Sequence, residues 1–156
     1  MVECNPDVAL VETLTSPSRR RNKHAGSKSM VLRRLMRTYE NALGIIDEDP
    51  DSTQPDDLQR FREIDNLERY QLRILQHNPR NNRLVVIIPR LEEWIIRASS
   101  EANINPQDYN LPNNPNQLHE IINIRENRFR ELIRDLMQRS DRVKALQTCL
   151  RESAET

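Results

Sequence analysis

Ala42-Leu-Gly-Ile-Ile-Asp-Glu-Asp-Pro-Asp51 is the stretch on which the reading of this chain turns. Leu43 to Ile46 form a short apolar run that ends abruptly in Asp47-Glu48-Asp49, followed by Pro50 and Asp51. A buried parallel strand has this form when it delivers carboxylates to the C-terminal edge of a sheet. Ligands of open α/β sheets bind at that edge. Four acidic residues in five positions repel one another. A divalent cation such as Mg2+, a hard ion that takes carboxylate oxygens, offsets that repulsion. Asp47 and Asp49 are therefore candidate Mg2+ (or Mn2+) ligands. The same stretch also fits an Asp-rich turn closed by Pro50 with its carboxylates in water.

The chain has 156 residues, enough for one core, and 31% of them are charged at a net charge of zero. The distribution of charge says more than the total. Residues 16–40 carry eight Lys/Arg against the single acid Glu40, and residues 47–68 carry nine Asp/Glu against two Arg. A basic segment beside an acidic one suits a place where metal ions and an anionic polymer meet. Cys4 and Cys149 lie far apart without metal-ligand spacing and read as two free thiols of a reducing cytosol. No apolar run approaches a membrane span, and Met1-Val-Glu-Cys4 does not have the form of a signal peptide. The expectation is a cytoplasmic protein.

Around the acidic stretch the chain alternates. Met1 to Glu3 read as the tail of a first strand, and Asn5-Pro6-Asp7 open a helix. Residues 19–24 are a basic connection with a possible short strand. Ser27 or Ser29 caps a helix from about Met30 to Tyr39, with Val31, Leu32, Leu35 and Met36 on one face. Leu58 to about Asn66 are predicted helical, Tyr70 to Leu75 a strand, and Gln76 to Asn82 a polar turn. Arg83 to Pro89 are the clearest strand, continuously apolar and hence buried on both faces. Leu91 to Ala98 follow as a helix, residues 103–116 as a loop, and the remainder as helices. Strands alternating with helices predict an α/β fold: a mostly parallel sheet of about four strands with helices on both faces. The predicted division is an α/β domain over 1–114 and a helical C-terminal extension over 115–156 that packs on it, its amphipathic stripe serving as core or as a dimer surface.

If Met1 to Glu3 is a strand parallel to the one ending at Asp47, then Glu3 reaches the same edge as Asp47 and Asp49. Three carboxylates from two strands suffice for Mg2+ held partly by water and substrate phosphate. Asp7 and Glu92 join the candidate ligands. Glu92 also reads simply as a solvated residue in the first turn of a helix. Gly26-Ser27-Lys28 opens a helix and suits a phosphate, with Lys28 adding charge, although it lacks the first glycine of a nucleotide-binding loop. Arg19, Arg20, Arg21 and Lys23, with Lys28, suit a nucleic-acid backbone, and equally a solvated basic loop. His24, His77 and His119 read as exposed turn residues.

Glu3-Cys-Asn-Pro-Asp7 resembles the E-G-x-x-D opening of the Toprim domain, with Cys4 in the place of glycine, and Gly44-Ile-Ile-Asp-Glu-Asp49 resembles its strand-borne D-x-D. The likeness covers roughly residues 1–100. Toprim domains occur in topoisomerases, primases, ribonuclease M5 and OLD-type nucleases of bacterial defence. The resemblance implies a Toprim-like sheet, Glu3 as general acid/base, and Asp47 and Asp49 as ligands of catalytic Mg2+. Arg83 to Trp94 is similar to a strand-Pro-x-L-E-x-W segment of small Toprim-like bacterial proteins, which implies Glu92 at a second metal. The expected function is metal-dependent cleavage of DNA or RNA phosphodiesters, with Lys28 steadying the phosphate. The alternative is a non-catalytic Toprim-fold module that joins a partner ATPase, a nuclease or a second copy through its C-terminal helices.

Overall fold

The computed structural model describes Met1, residues 5–15 and residues 25–155. These form six α-helices and four strands: α1 (Asn5–Thr15), α2 (Lys28–Arg37), β1 (Leu43–Asp47), β2 (Arg62–Leu67), β3 (Leu72–His77), β4 (Asn82–Ile87), α3 (Leu91–Glu101), α4 (Pro115–Ile121), α5 (Glu126–Arg139) and α6 (Asp141–Glu155). The α/β class is as predicted. The strand order is β1-β4-β3-β2.

The sheet is mixed, which corrects the mostly parallel expectation. β1 and β4 run parallel, with Asp47 opposite Ile87. β3 is antiparallel to β4, and β2 is antiparallel to β3. The cause lies in the segment predicted as a helix. Asp56–Arg60 is one short helical turn, and Arg62–Leu67 is strand β2. The connections that follow are too short for a crossover and force antiparallel hairpins. Both close in the same way. Gln71 N–H donates to Glu68 O (3.0 Å) and Asn81 N–H to Asn78 O (3.1 Å), and both residues take φ 52° in the left-handed region.

The alternation of each strand divides the core. Val85 and Ile87 of β4 face the side covered by α1 and α3–α6, together with Ile45, Leu72 and Ile74. Leu84 and Val86 face α2, with Ile46, Leu75 and Phe61. β4 is thus buried on both faces, as its unbroken apolar run requires. Ser27 caps α2, its Oγ accepting from Met30 N–H at 3.2 Å. Gly44 lets α2 approach β1 closely: a Cβ there would lie 2.7 Å from Leu35 Cδ1 and 2.9 Å from Val31 Cγ1. The stripe Phe129, Leu132, Ile133 and Leu136 of α5 and Val143, Leu146 and Leu150 of α6 is buried in this same core. It is therefore core and not a surface kept for a partner. No helix among the described residues is long and apolar enough to cross a membrane.

Met1 continues the sheet beyond β1. Its amino group donates to Leu43 O at 2.6 Å and its carbonyl accepts from Ile45 N–H at 2.9 Å, the two bonds of a parallel pairing across Gly44.

Two of the buried polar side chains tie elements of the fold together. Asn82, fully buried, was predicted in a polar turn and instead opens β4. Its Nδ2 donates to Leu35 O and to Tyr39 O (2.7 Å), and its Oδ1 accepts from Ala42 N–H (2.7 Å). One side chain thereby closes the end of α2 and the entry to β1. Arg142 of α6 is also buried, and it donates from Nε to Glu101 Oε1 at 2.7 Å and from Nη1 to Gln71 Oε1 at 3.0 Å. It ties α6 to α3 and to the β2–β3 turn.

Replacing Asn82 with Ala strands two carbonyls and one N–H in a buried place, each costing about 1–3 kcal/mol. Urea denaturation is expected to show a loss of about 3 kcal/mol or more. Asn82→Asp, which turns a carboxylate oxygen toward two carbonyl oxygens, is expected to do no better.

His77, predicted to be exposed, is buried beside Phe61 at 5.4 Å between ring centres. Burial first, then the charges of Arg80 and Arg60, lower its pKa from the ordinary 6.5. The unfolded chain therefore takes up a proton before the folded one does, so stability rises with pH across this interval. The contribution is fully present above about 6.5 and is lost as pH falls through the lowered folded value. Thermal unfolding across this range is expected to show that dependence in the wild type and less of it in His77→Gln.

Candidate functional site

The C-terminal rim of the β1–β4 pair is built by the loop that leaves β1. Glu48 N–H donates to Ile87 O and Asp49 N–H to Pro89 O, both at 2.8 Å, so the two chains run together past the end of the sheet. Asp49 takes φ 44°, a left-handed conformation that Asp tolerates better than most residues. Gln54 Nε2 donates to Glu48 O (2.9 Å) and Asp49 O (3.1 Å), and Ser52 N–H donates to Asp49 O (3.0 Å). Beneath them, the buried Lys28 donates from Nζ to Glu48 O at 2.8 Å and to Gln54 Oε1 at 3.3 Å. The acidic loop is thus clamped through its backbone, which leaves its carboxylates to other tasks.

One of those tasks is visible. Asp47 Oδ2 accepts from Leu91 N–H, the first residue of α3, at 3.1 Å. The residue at the cap position, Arg90, makes no side-chain cap bond. Asp47 supplies from β1 what α3 lacks at its own start: an acceptor for a helix N–H and a negative charge at the positive end of the helix dipole.

Arg90 stands among the acids of the rim. Its guanidinium pairs with Glu93. That hydrogen bond is the largest reason its pKa lies above the ordinary value. Burial opposes it, and the charges of Glu93, Glu92 and Asp49 reinforce it. Asp49, Glu92 and Glu93 therefore all act on one cation. Glu92 is buried, and its Oε1 lies 2.9 Å from Nδ1 of His119, a residue of α4 whose side chain is 76% exposed.

Of the sequence-predicted site residues, Asp47 and Asp49 stand at the end of β1 and just past it, and Glu92 lies in the first turn of α3 that starts beside Asp47. Lys28 belongs to the same place, under the loop, with its amine donating to Glu48 O and Gln54 Oε1. Asp7 is buried in the first turn of α1, a helix that packs on α5 and α6. Glu3, Cys4, Arg19, Arg20, Arg21, Lys23 and His24 lie outside the described residues. Among the described residues no three His, Cys, Asp or Glu side chains gather into a group that could hold a metal ion. His119, read as an exposed residue, is exposed; it lies on α4, within the region predicted to be helical, and contacts Glu92. Nothing local in the sequence marks it, because the two residues are 27 positions apart.

A separate open groove of about 650 Å3 lies between α6 and the sheet, lined among others by Ile64, Leu67, Tyr70 and Cys149, and holds none of the rim residues. Burial, with Glu152 and Asp65 adding to it, pushes the Cys149 thiol up to about 11, which makes it a poor nucleophile there.

Comparison with known proteins adds no family: no family model matches the chain, and no curated protein or solved structure matches it either.

Asp47→Asn keeps an oxygen for Leu91 N–H, whereas Asp47→Ala removes it. The Ala variant is expected to lose about 1 kcal/mol in chemical denaturation and the Asn variant distinctly less. Equal losses would mean that the Leu91 hydrogen bond does not hold α3.

Proposed function

We propose that this chain is a Toprim-like module that cleaves nucleic-acid phosphodiesters with Mg2+ or Mn2+ at the β1–β4 rim. One observation carries the reading: Asp47 and Asp49 stand at the C-terminal end of a parallel strand pair, on a loop fixed by Lys28 and Gln54. Mg2+ takes one or two carboxylates and completes its shell with water and phosphate oxygens, so this pair meets its needs. Asp47 and Asp49 would hold the metal. When bound, it supplies charge neutralisation at the non-bridging oxygens and at the leaving oxygen. Lys28 acts from below by fixing the loop that presents the two carboxylates. Arg90, whose charge Asp49 and Glu92 act on, would meet a phosphate that enters there. The basic run Arg19, Arg20, Arg21 and Lys23 would track the backbone of DNA or RNA, and Glu3 would move a proton, as the Toprim likeness implies.

A second reading, a non-catalytic binding module, is favoured by the same Arg90. The cation already stands among Asp49, Glu92 and Glu93, and this lessens the repulsion that a metal would relieve.

Plasmid, single-stranded DNA and RNA incubated with Mg2+ or Mn2+ separate the two. Cleavage by the wild type, reduced on the order of 100-fold or more in Asp47→Asn/Asp49→Asn, supports the nuclease. Equal cleavage by that double variant, shown folded by its melting curve, overturns it. Stable capture of nucleic acid without metal-dependent cleavage favours the binding module.

A further inference from the structure

We propose that the groove between α6 and the sheet, together with an arginine-lined hollow that adjoins it, binds a small organic anion. A phosphate or carboxylate head sits among Arg69, Arg139 and Ser140, and an apolar body lies along the groove. This site holds none of the rim residues and stands whether or not the rim cleaves phosphodiesters.

Two cavities meet at the start of α6. The groove, about 650 Å3, has the volume of a small-molecule site. The apolar part of its lining is Ile64, Leu67, Ile74 and Val85 from the strands and Ala145 from α6. The hollow is smaller, about 180 Å3, and Arg69, Arg139, Ser140 and Arg142 line it. Tyr70 and Asp141 line both, so the hollow lies directly beside the groove. At about 30 Å3 for each water, the hollow has room for about six. That is enough for a phosphate or carboxylate group, and the rest of a ligand then extends into the groove.

The charges in the hollow do not cancel. Its lining holds three guanidiniums and two carboxylates, Glu101 and Asp141. Arg142 is 2% exposed and takes Glu101 for itself, while also donating to Gln71 Oε1 at 3.0 Å and to Arg69 O at 3.3 Å. Arg69 lies over the Tyr70 ring, 5.5 Å from its centre, and Arg139 donates from Nη2 to Ala102 O at 2.9 Å. Among the described residues neither Arg69 nor Arg139 has a carboxylate within ion-pair distance. Two guanidiniums are thus left against Asp141 alone. Glu101 registers the surplus: the hydrogen bond from Arg142 is the largest reason its pKa lies below the ordinary value, burial opposes it, and the charges of Arg142, Arg97 and Arg69 add to it. Ser140, buried in the same lining, accepts from Val143 N–H on Oγ at 3.2 Å and keeps its own O–H to donate. Guanidiniums meet the paired oxygens of phosphate and carboxylate groups in a fixed planar geometry. The tie of α6 to α3 needs Arg142 and has no use for the other two. At the Cys149 end of the groove stand Asp65 and Glu152 against Arg83, all three acting on the thiol. Two acids to one base turn an anionic head away from that end and toward the arginines.

Isothermal titration with 1-naphthyl phosphate, 1-naphthoate, 1-naphthol and inorganic phosphate tests the site. The two naphthyl anions are expected to bind at least about 10-fold more tightly than naphthol or inorganic phosphate, each of which lacks one half of the ligand. Preference for either naphthyl anion supports the site and names its head. Arg69→Gln/Arg139→Gln, which leaves the bonds of Arg142 in place, is expected to weaken both anions on the order of 10-fold or more and to leave naphthol unchanged. Ala145→Phe, which fills the groove, is expected to weaken all three naphthyl compounds and to spare inorganic phosphate. Melting curves establish that both variants are folded. Wild-type protein that does not bind the naphthyl anions, or binds naphthol as tightly as them, overturns the inference. So does undiminished binding of the anions by the double arginine variant or by Ala145→Phe.

Discussion

The hydrogen bond from Leu91 N–H to Asp47 Oδ2 joins the last residue of β1 to the first residue of α3, and the candidate site depends on it. A helix start needs acceptors for its first N–H groups, and here the acceptor comes from a neighbouring strand. This fixes α3 against the end of the parallel pair and puts Glu92, Glu93 and Arg90 on the same rim as the acidic loop. The cost is that Asp47 serves two masters. A carboxylate that caps a helix through one oxygen has less freedom to turn toward a cation. Asp49 on its left-handed backbone, with Lys28 and Gln54 gripping the carbonyls beside it, is the more adaptable of the pair.

Behind the rim the central strand sets the layers. β4 has α2 on one side and the α1/α3–α6 layer on the other, and it is held in register by Asn82 at its start and by β1 along its length. Asn82 spends three hydrogen bonds on backbone groups that no regular element satisfies, the ends of α2 and the entry to β1. Gly44 removes the side chain that would hold α2 away. Arg142 does for α6 what Asn82 does for α2, crossing from its helix to Glu101 and to the turn residue Gln71. The opposite edge of the sheet, β2, is exposed over Arg62–Asn66, carries a bulge between Glu63 and Asp65 and is lined with charge, features that discourage strand-to-strand association.

Much of this was legible in the sequence because burial writes itself as pattern. The unbroken Leu84 to Ile87, the stripe of α2 and the stripe of α5 all follow from which face meets the core. β2 was not legible for the converse reason: an edge strand with both faces in water has no alternation to read, and Arg-Glu-Ile-Asp-Asn-Leu looks as helical as extended. The hairpin after it was hidden as well, since Gln71 is not a residue that announces a left-handed turn. Reading β2 as a helix turns the antiparallel meander into alternating units and predicts too parallel a sheet. In the site, Asp47 and Asp49 were visible from the D-x-D at a strand end. Asp7 is not distinguishable from them by composition, and in the fold it is buried at the start of α1. The Glu92–His119 contact joins helices far apart in the chain and leaves no local trace.

As proposed, the rim formed by β1, the acidic loop and the start of α3 would bind a divalent cation. Paramagnetic broadening by substoichiometric Mn2+ in isotopically labelled protein reads it most directly. The amide signals of Asp47, Glu48 and Asp49 and those of Leu91 and Glu92 are expected to broaden first, and to be spared in Asp47→Asn/Asp49→Asn. Broadening spread evenly over the acidic residues 51–68, with the rim amides no more affected than the rest, would contradict it.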